Sequence, residues 1–573
     1  MSWLFTLGNM SEKNKTAPET GREADVFGII PALIEVHRSW MERPQEFARM
    51  RMDLMVRLEE AAREEIARLL PADSSPQDQE DGAVSFLDMM KTGGQLARKY
   101  HAIHQKWLKE FIEQAQGMEE RERQRALFWT RQLINACSPA NFFWTNPGAL
   151  QRFMDSSGES LMRGVQRFHE DLQLGNFLLR LTDDTAWKIG ENIAATPGRV
   201  VFRNELMELI QYEPATKKTL AVPVVFIQPW INKFYIFDLN PPMSFVGYLR
   251  DRGFTVFIIS WKNPTSMMRR VTFEDYMLQG ALKAIEAARD ICRSDAVHAA
   301  GYCIGGTVLA ALMAWFNRQR SKRKKAVPVS DWTLFSTLVD FSEPGDLGFF
   351  ITEKSVAAVE ELMEENGYLS EKYIEMAFRM LGSDSLIWRN FVQTCLFGAA
   401  PPKSDVLFWN SDSTRLPEAM CAFYLRDLYL NNRLAKKDGL VLGGRSIDLG
   451  CIEQPLYVVG TQLDHICPWK STFKTCSLVG GPVRYVLSSE GHITGIVNPP
   501  SETSRRRYWA GDAAGERDPE SWLSRQEEGR GSWWEDWTAW LFIRSAGEKR
   551  TPSMGSRKYP PLEKAPGSYV MER

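Results

Sequence analysis

Val297-His298-Ala299-Ala300-Gly301-Tyr302-Cys303-Ile304-Gly305-Gly306-Thr307 is the stretch on which the fold turns. Ala296–Ala300 is short and mostly apolar, which predicts a buried strand, and Thr307–Phe316 predicts a helix. Between them lies G-x-C-x-G-G. A strand that turns straight into a helix brings neighbouring backbone close together. Gly301 and Gly305 fall where a Cβ would collide. The turn presents the Cys303 thiol at the positive end of the following helix, which favours thiolate. It also aims the Ile304 amide at a developing oxyanion. Cys303 is therefore the candidate nucleophile.

Outward from this turn, short apolar runs alternate with helical stretches. Val222–Ile227, Phe254–Ser260, Pro455–Gly460 and Val483–Leu487 predict strands, and Ser244–Asp251 and Phe273–Cys292 predict helices. Such alternation gives a parallel sheet covered on both faces. An α/β sheet with a nucleophile on a strand–helix elbow is the α/β-hydrolase fold, whose triad follows in the order nucleophile, acid, histidine. The acid should follow a strand, and Asp464 does, after Pro455–Gly460. The histidine should follow the last strand, and His492 does, after Val483–Leu487. His465 competes for the base role but sits beside the acid as a neighbour. His298, inside the strand before the elbow, is expected to be a packed core histidine. Cys467 and Cys476 lack an elbow and are expected to be inert. The second oxyanion donor should come from the loop after Val222–Ile227. Pro229 has no N–H to give, so the amide of Trp230 is the candidate, with Ile231 next.

The remaining sequence bounds the reading. The chain has 573 residues with 70 Lys+Arg and 72 Asp+Glu, a formal charge of −2, which argues against a nucleic-acid partner. None of its eight cysteines forms a C-x-x-C pair, and no phosphate loop or G-x-G-x-x-G follows a strand, so neither a metal nor a nucleotide cofactor is expected. No apolar run approaches the ~18 residues of a membrane span, and no signal peptide is read at the start, so a cytoplasmic location is expected. Residues 1–25 predict disorder and 26–198 a mostly helical N-terminal domain, with a linker from Pro71 to Gly82 and helix from Pro147 to about Ile193. Residues 199–573 form the catalytic domain. Its helical block 341–426, inserted between core strands, is expected to be a lid, with Asn366-Gly367 ending one of its helices. Tryptophans interleaved with charge after Pro500 argue against plain disorder there, and Ser532 predicts the cap of a helix through Phe542.

Many segments together resemble the polyhydroxyalkanoate synthases, or poly(3-hydroxyalkanoate) polymerases, of the single-subunit type. They are TPGRVVFRNELMELIQY (Thr196–Tyr212), PWINKFYIFDLNP (Pro229–Pro241), GYCIGGT (Gly301–Thr307), FWNSDSTRLP (Phe408–Pro417), FYLRDLYLNNRL (Phe423–Leu434), DHICPW (Asp464–Trp469), GHITGIVNPP (Gly491–Pro500) and GSWWEDWTAWL (Gly531–Leu541). The resemblance implies an acyltransferase that joins (R)-3-hydroxyacyl-CoA units into a polyester with release of CoA. It implies a Cys303–Asp464–His492 triad, oxyanion donors at Ile304 and Trp230, a homodimer, and a place at the surface of polyester granules. Asp464 either orients His492 or assists deprotonation of the incoming hydroxyl. The elbow and triad alone fit a thioesterase or esterase equally well.

Overall fold

The computed structural model describes residues 25–69, 86–173, 178–318 and 326–573. All but the last residue of the expected disordered N-terminus, and the whole expected linker, lie outside these. By its internal contacts the chain forms two compact units, one of Met1–Asp183 with Met376–Lys403 and one of Asp184–Glu375 with Ser404–Arg573.

The first unit is helical: α1 (Ile29–Met41), α2 (Pro44–Leu69), α3 (Phe86–Glu113), α4 (Glu120–Ala136), α5 (Pro147–Asp155) and α6 (Glu159–Gln173). Trp40 anchors its core. The indole is buried, stacks on Phe111 with centroids 5.2 Å apart, and donates from Nε1 to the Phe111 carbonyl at 2.8 Å. Both needs of the side chain, apolar contact and a hydrogen-bond acceptor, are thus met by one residue. At Gly164 on α6 a Cβ would lie 1.9 Å from the Cys395 carbonyl oxygen. That close approach explains why Met376–Lys403 packs with the helical unit, so the expected block 341–426 is not one body.

Helix was expected to continue to about Ile193, and there the structure differs. From residue 178 to Pro197 only one short turn, Asp184–Ala186, is helical. Gly190 has φ 87°, and the Asn192 side chain accepts from the Lys188 N–H and donates to the Ala186 carbonyl. A side chain that satisfies nearby backbone groups competes with the helix ladder.

The second unit is built on a mixed sheet. Its strands are β1 (Gly198–Arg203), β2 (Met207–Tyr212), β3 (Val224–Ile227), β4 (Val256–Trp261), β5 (Val297–Tyr302), β6 (Val329–Phe335), β7 (Leu456–Thr461), β8 (Val483–Ser488), β9 (Arg507–Asp512), β10 (Glu528–Arg530) and β11 (Glu563–Lys564). Their spatial order is β10-β9-β8-β7-β6-β5-β3-β4-β2-β1-β11. From β4 to β8 every neighbouring pair is parallel, whereas β2 runs antiparallel to both β1 and β4. The order 1-2-4-3-5-6-7-8 through the first eight strands, with the cysteine elbow after the fifth, is that of an α/β-hydrolase. Strands β2, β3, β4, β5 and β7 are buried along their whole length, as a sheet covered on both faces requires.

The helix expected over Phe273–Cys292 is present but contains a π-helical stretch, Tyr276–Ala281. There Tyr276 stacks on Trp230 at 4.1 Å, and a Cβ on Gly280 would lie 2.4 Å from the Trp261 ring. Inserted turns of this type often mark functional sites. At the C-terminal side, the helix Trp534–Arg544 begins where the Ser532 hydroxyl accepts from the Trp534 N–H at 3.1 Å. Trp533 and Trp534 are fully buried and donate to the carbonyls of Gly495 and Ile496 at 2.7 and 2.8 Å. These bonds pin the loop that carries His492.

Two parts of the block 341–426 belong to this second unit. The helix Glu353–Asn366 ends at Gly367, φ 76°, at the predicted Asn-Gly stop. Tyr368–Leu369 pairs with Leu416–Pro417, and the Arg426 guanidinium is held by both carboxylate oxygens of Glu360 at 2.6 Å. A paired strand and a bidentate ion pair tie 341–375 to 404–426.

Candidate active site

Cys303 follows β5 directly and precedes the helix Ile304–Asn317. Its backbone has φ 51° and ψ −127°, a strained conformation for a residue with a Cβ. The surrounding glycines over-determine it. A Cβ on Gly301 would lie 2.4 Å from the Gly306 Cα, and one on Gly305 would lie 2.3 Å from the Ile227 carbonyl oxygen. Strand end and helix start are therefore locked together, and the helix start lies against the loop that leads from β3 to Trp230. That loop runs on to Trp230, whose ring is buried and whose carbonyl accepts from the Thr414 hydroxyl.

Asp464 is buried in the loop after β7. Its Oδ1 accepts from the Ile466 and Cys467 amides at 2.9 and 2.8 Å, and its Oδ2 accepts from the Thr461 hydroxyl at 2.8 Å. Oδ2 also meets His492 Nδ1 at 2.7 Å. Tyr302 holds the histidine from the other side. Its hydroxyl donates to the His492 carbonyl at 3.1 Å, and its ring stacks on the imidazole at 5.3 Å. The remaining ring nitrogen of His492 faces the thiols: the ligand atoms of Cys303, Cys467 and His492 all lie within 4.8 Å of one another.

The structure thus brings together Cys303, Asp464 and His492, and leaves the other histidines outside. His465 is exposed, and its carbonyl accepts from the Asp346 N–H. His298 is buried between Asp331, at 2.7 Å from Nδ1, and the Ser545 hydroxyl, at 3.0 Å from Nε2, as a packed core histidine.

Cys467 is the residue the sequence reading missed. It was expected to be inert, yet its sulfur lies within 4.8 Å of the Cys303 sulfur. The signal was available in DHICPW: the Cys467 amide is one of the groups that hold Asp464, so its side chain enters the same pocket. Tyr424, from the inserted block, is buried close enough to feel the charge of both thiols, and its ring packs against Tyr429 at 5.1 Å.

The electrostatics favour an ion pair. The Cys303 thiol is lowered to about 5. The neighbouring Cys467 thiol does most to lower it, burial opposes, and His492 and the Ile304 amide add to the lowering. For His492, burial disfavours the charged ring, but Asp464 and then Cys303 outweigh it and raise the imidazole to about 10. Burial likewise acts to raise Asp464, and the His492 charge and hydrogen bond overcome it to keep the carboxyl below its ordinary value. The thiolate is thus present from about pH 5 upward, whereas an ordinary thiol falls off below about 8.5. Alkylation of Cys303 by iodoacetamide, followed by peptide mass spectrometry across pH, should stay fast well below pH 8. Cys467→Ala should move the midpoint upward. A wild-type midpoint at the ordinary thiol value would contradict the ion pair.

Residues 92–249 match the family model described as Poly-beta-hydroxybutyrate polymerase (PhaC) N-terminus. A poly(3-hydroxyalkanoate) polymerase of Methylorubrum extorquens is 38% identical over 96% of this chain and 90% of its own. The chain belongs to the poly(3-hydroxyalkanoate) polymerase family. The poly(3-hydroxyalkanoate) polymerase subunit PhaC of Rhizobium meliloti is 37% identical over 99% of this chain and 93% of its own, and that of Cupriavidus necator 37% over 83% and 80%. A poly(3-hydroxyalkanoate) polymerase is an acyltransferase that polymerises hydroxyalkanoate units, and this chain spans nearly all of the Methylorubrum and Rhizobium meliloti relatives.

Proposed function

We propose that this polymerase builds its polyester from (R)-3-hydroxyacyl-CoA through a covalent thioester on Cys303, with His492 as base and Asp464 as the third member of the triad. The observation that carries the reading is the relay from the Cys303 thiol through His492 to Asp464, whose last link is 2.7 Å long. The Cys303 thiolate attacks the thioester carbonyl carbon. The Ile304 and Trp230 amides hold the oxyanion, each worth roughly 3 kcal/mol by analogy with other oxyanion holes. CoA leaves as its thiol, with the proton supplied by His492. Exchange of one thioester for another is nearly isoenergetic, which suits cysteine better than serine. The 3-hydroxyl of another unit then attacks the acyl-enzyme, gives its proton to the base, and an ester C–O bond replaces the C–S bond. Asp464 orients His492 and stabilises the imidazolium; direct assistance to the hydroxyl is the other role open to it.

Water must be kept from the acyl-enzyme, or the product is a free acid. We assign that task to the parts of the inserted block in the second unit, because Tyr424 is buried near the thiols. The helical unit is assigned assembly as a homodimer and attachment to the polyester granule in the cytoplasm. Met162, Val165, Phe168 and Leu172 form an exposed apolar stripe along α6, which supports a surface role. Among the described residues no helix is long and apolar enough to cross a membrane.

The test is CoA release measured together with product. Polymer in step with CoA supports the reading, and free hydroxy acid in its place would favour a thioesterase. Within that assay the histidines should separate. His492→Ala should abolish acylation of Cys303, a loss of at least about 10³-fold. His465→Ala should retain acylation, because its exposed ring lies outside the relay. The opposite ranking would move the base role to His465.

A further inference from the structure

Among the described residues one group of three side chains brings metal-ligating atoms together: Cys303, Cys467 and His492, all within 4.8 Å of one another. The proposed chemistry makes and breaks bonds at Cys303 and His492 and gives Cys467 no bond to make. We propose that the three form a reversible inhibitory site for a thiophilic divalent cation of the zinc class, which silences the polymerase by occupying its nucleophile.

The donor set is that of a zinc site with an open position: two thiolates, one imidazole and room for water or another ligand. A tetrahedral zinc with bonds of about 2.3 Å to sulfur and 2.0–2.1 Å to nitrogen places its ligand atoms roughly 3.6–3.8 Å apart. The observed 4.8 Å limit lies about one ångström away, within the reach of side-chain rotation. The second shell is already built. A zinc-ligating histidine almost always donates its other ring N–H to a carboxylate or carbonyl. Here His492 Nδ1 is paired with Asp464, which leaves Nε2 for the metal. Asp464 in turn is fixed by Thr461 and two backbone amides. The Cys467 amide is one of these, so the carboxylate and the second sulfur are held by one loop.

The site is reachable because Cys303 is only partly buried. Binding displaces two protons to solvent, one from the Cys467 thiol and one from the Cys303–His492 pair, and moves no electrons. With the sulfur lone pair committed to the metal, Cys303 has no nucleophile to offer a thioester. Removal of the metal by a chelator returns the thiolate. A hydrolase-type triad supplies two of these ligands, and Cys467 turns them into three.

This proposal shares Cys303 and His492 with the reading above, so its test reads metal binding and not turnover. The full-length chain, stripped with a chelator, is titrated with Co²⁺ as a spectroscopic stand-in and then with Zn²⁺ in competition with a chromophoric chelator. One tight equivalent with thiolate-to-cobalt absorption is expected. Cys467→Ser, which keeps the volume of the side chain, should cut the absorption per bound cobalt by about half and weaken Zn²⁺ binding by about 100-fold or more. Cys303→Ala should do the same, which guards against a folding defect peculiar to position 467. In the wild-type chain Zn²⁺ should also block acylation until chelator is added, and Cys467→Ser should need about 100-fold more Zn²⁺ for the same block. No thiolate absorption in the wild type, or wild-type absorption and affinity retained in Cys467→Ser, would overturn the site. Loss of acylation in Cys303→Ala with metal binding intact would do so too, while leaving the triad standing.

Discussion

Cys303→Ala is expected to abolish both CoA release and polymer, a loss of at least about 10⁴-fold. The size follows from the site. Cys303 is the one thiol that the structure places at a strand–helix elbow, with a His492 ring nitrogen within 4.8 Å of its sulfur. Cys467 stands nearby but does not replace it. The Cys303 contact and then burial push the Cys467 thiol well above its ordinary value, so in the wild-type chain it stays protonated when Cys303 is anionic. In Cys303→Ala the Cys467 sulfur lies off the elbow, without the following helix N-terminus behind it, and is not expected to take over the attack. Cys303→Ser is expected to leave a trace, because a hydroxyl carries far less anionic character than a thiol at neutral pH. Neither change alters the glycine packing of the elbow, so circular dichroism and thermal unfolding should match the wild type. Full activity in a folded alanine variant would remove the nucleophile assignment.

How much of this was legible in the sequence can be judged from particular residues. The elbow was readable because the need for glycine at Gly301 and Gly305 is steric and local. The structure shows each built Cβ inside 2.5 Å of backbone. The core strands were readable because buried parallel strands are near-continuous apolar runs. β1 and β2 were not read as strands, since Arg199, Arg203, Glu208 and Gln211 interrupt their apolar pattern. Glu208 is fully buried there and is satisfied by Arg203 and the Ser568 hydroxyl, partners distant or unknowable by pattern. Asp464 and His492 follow from chain order and strand ends. Cys467 was missed because reactivity was judged from the presence of an elbow, whereas its position is set by the Asp464 turn. The division of 341–426 between two units was likewise invisible, because it depends on Gly164 meeting Cys395 across more than two hundred residues.

An acyl-CoA that lacks the 3-hydroxyl should acylate the enzyme once and then stop. Attack by Cys303 needs only the thioester carbonyl, so the first CoA is released as with the natural substrate. Chain growth needs the hydroxyl of another unit as the second nucleophile, and the analogue has none. The remaining acceptor is water, which the capping block must keep out for any polymer to form. Tyr424 and Phe341 of that block are buried, and both rings pack against Tyr429 just beyond it, at 5.1 and 5.0 Å. The kinetic shape expected is a burst of about one CoA per Cys303 followed by a stall, the signature of an accumulating acyl-enzyme. Intact-protein mass spectrometry should find the adduct, and peptide mapping should place it on Cys303. Tyr424→Ala, which opens the cap beside the thiols, should shorten the stall and let free acid appear. In a thioesterase water would clear the adduct at every cycle. Sustained turnover of the analogue by the wild-type chain, with free acid accumulating, would therefore reject acyl transfer to a hydroxyl as the step that the Cys303–His492–Asp464 relay serves.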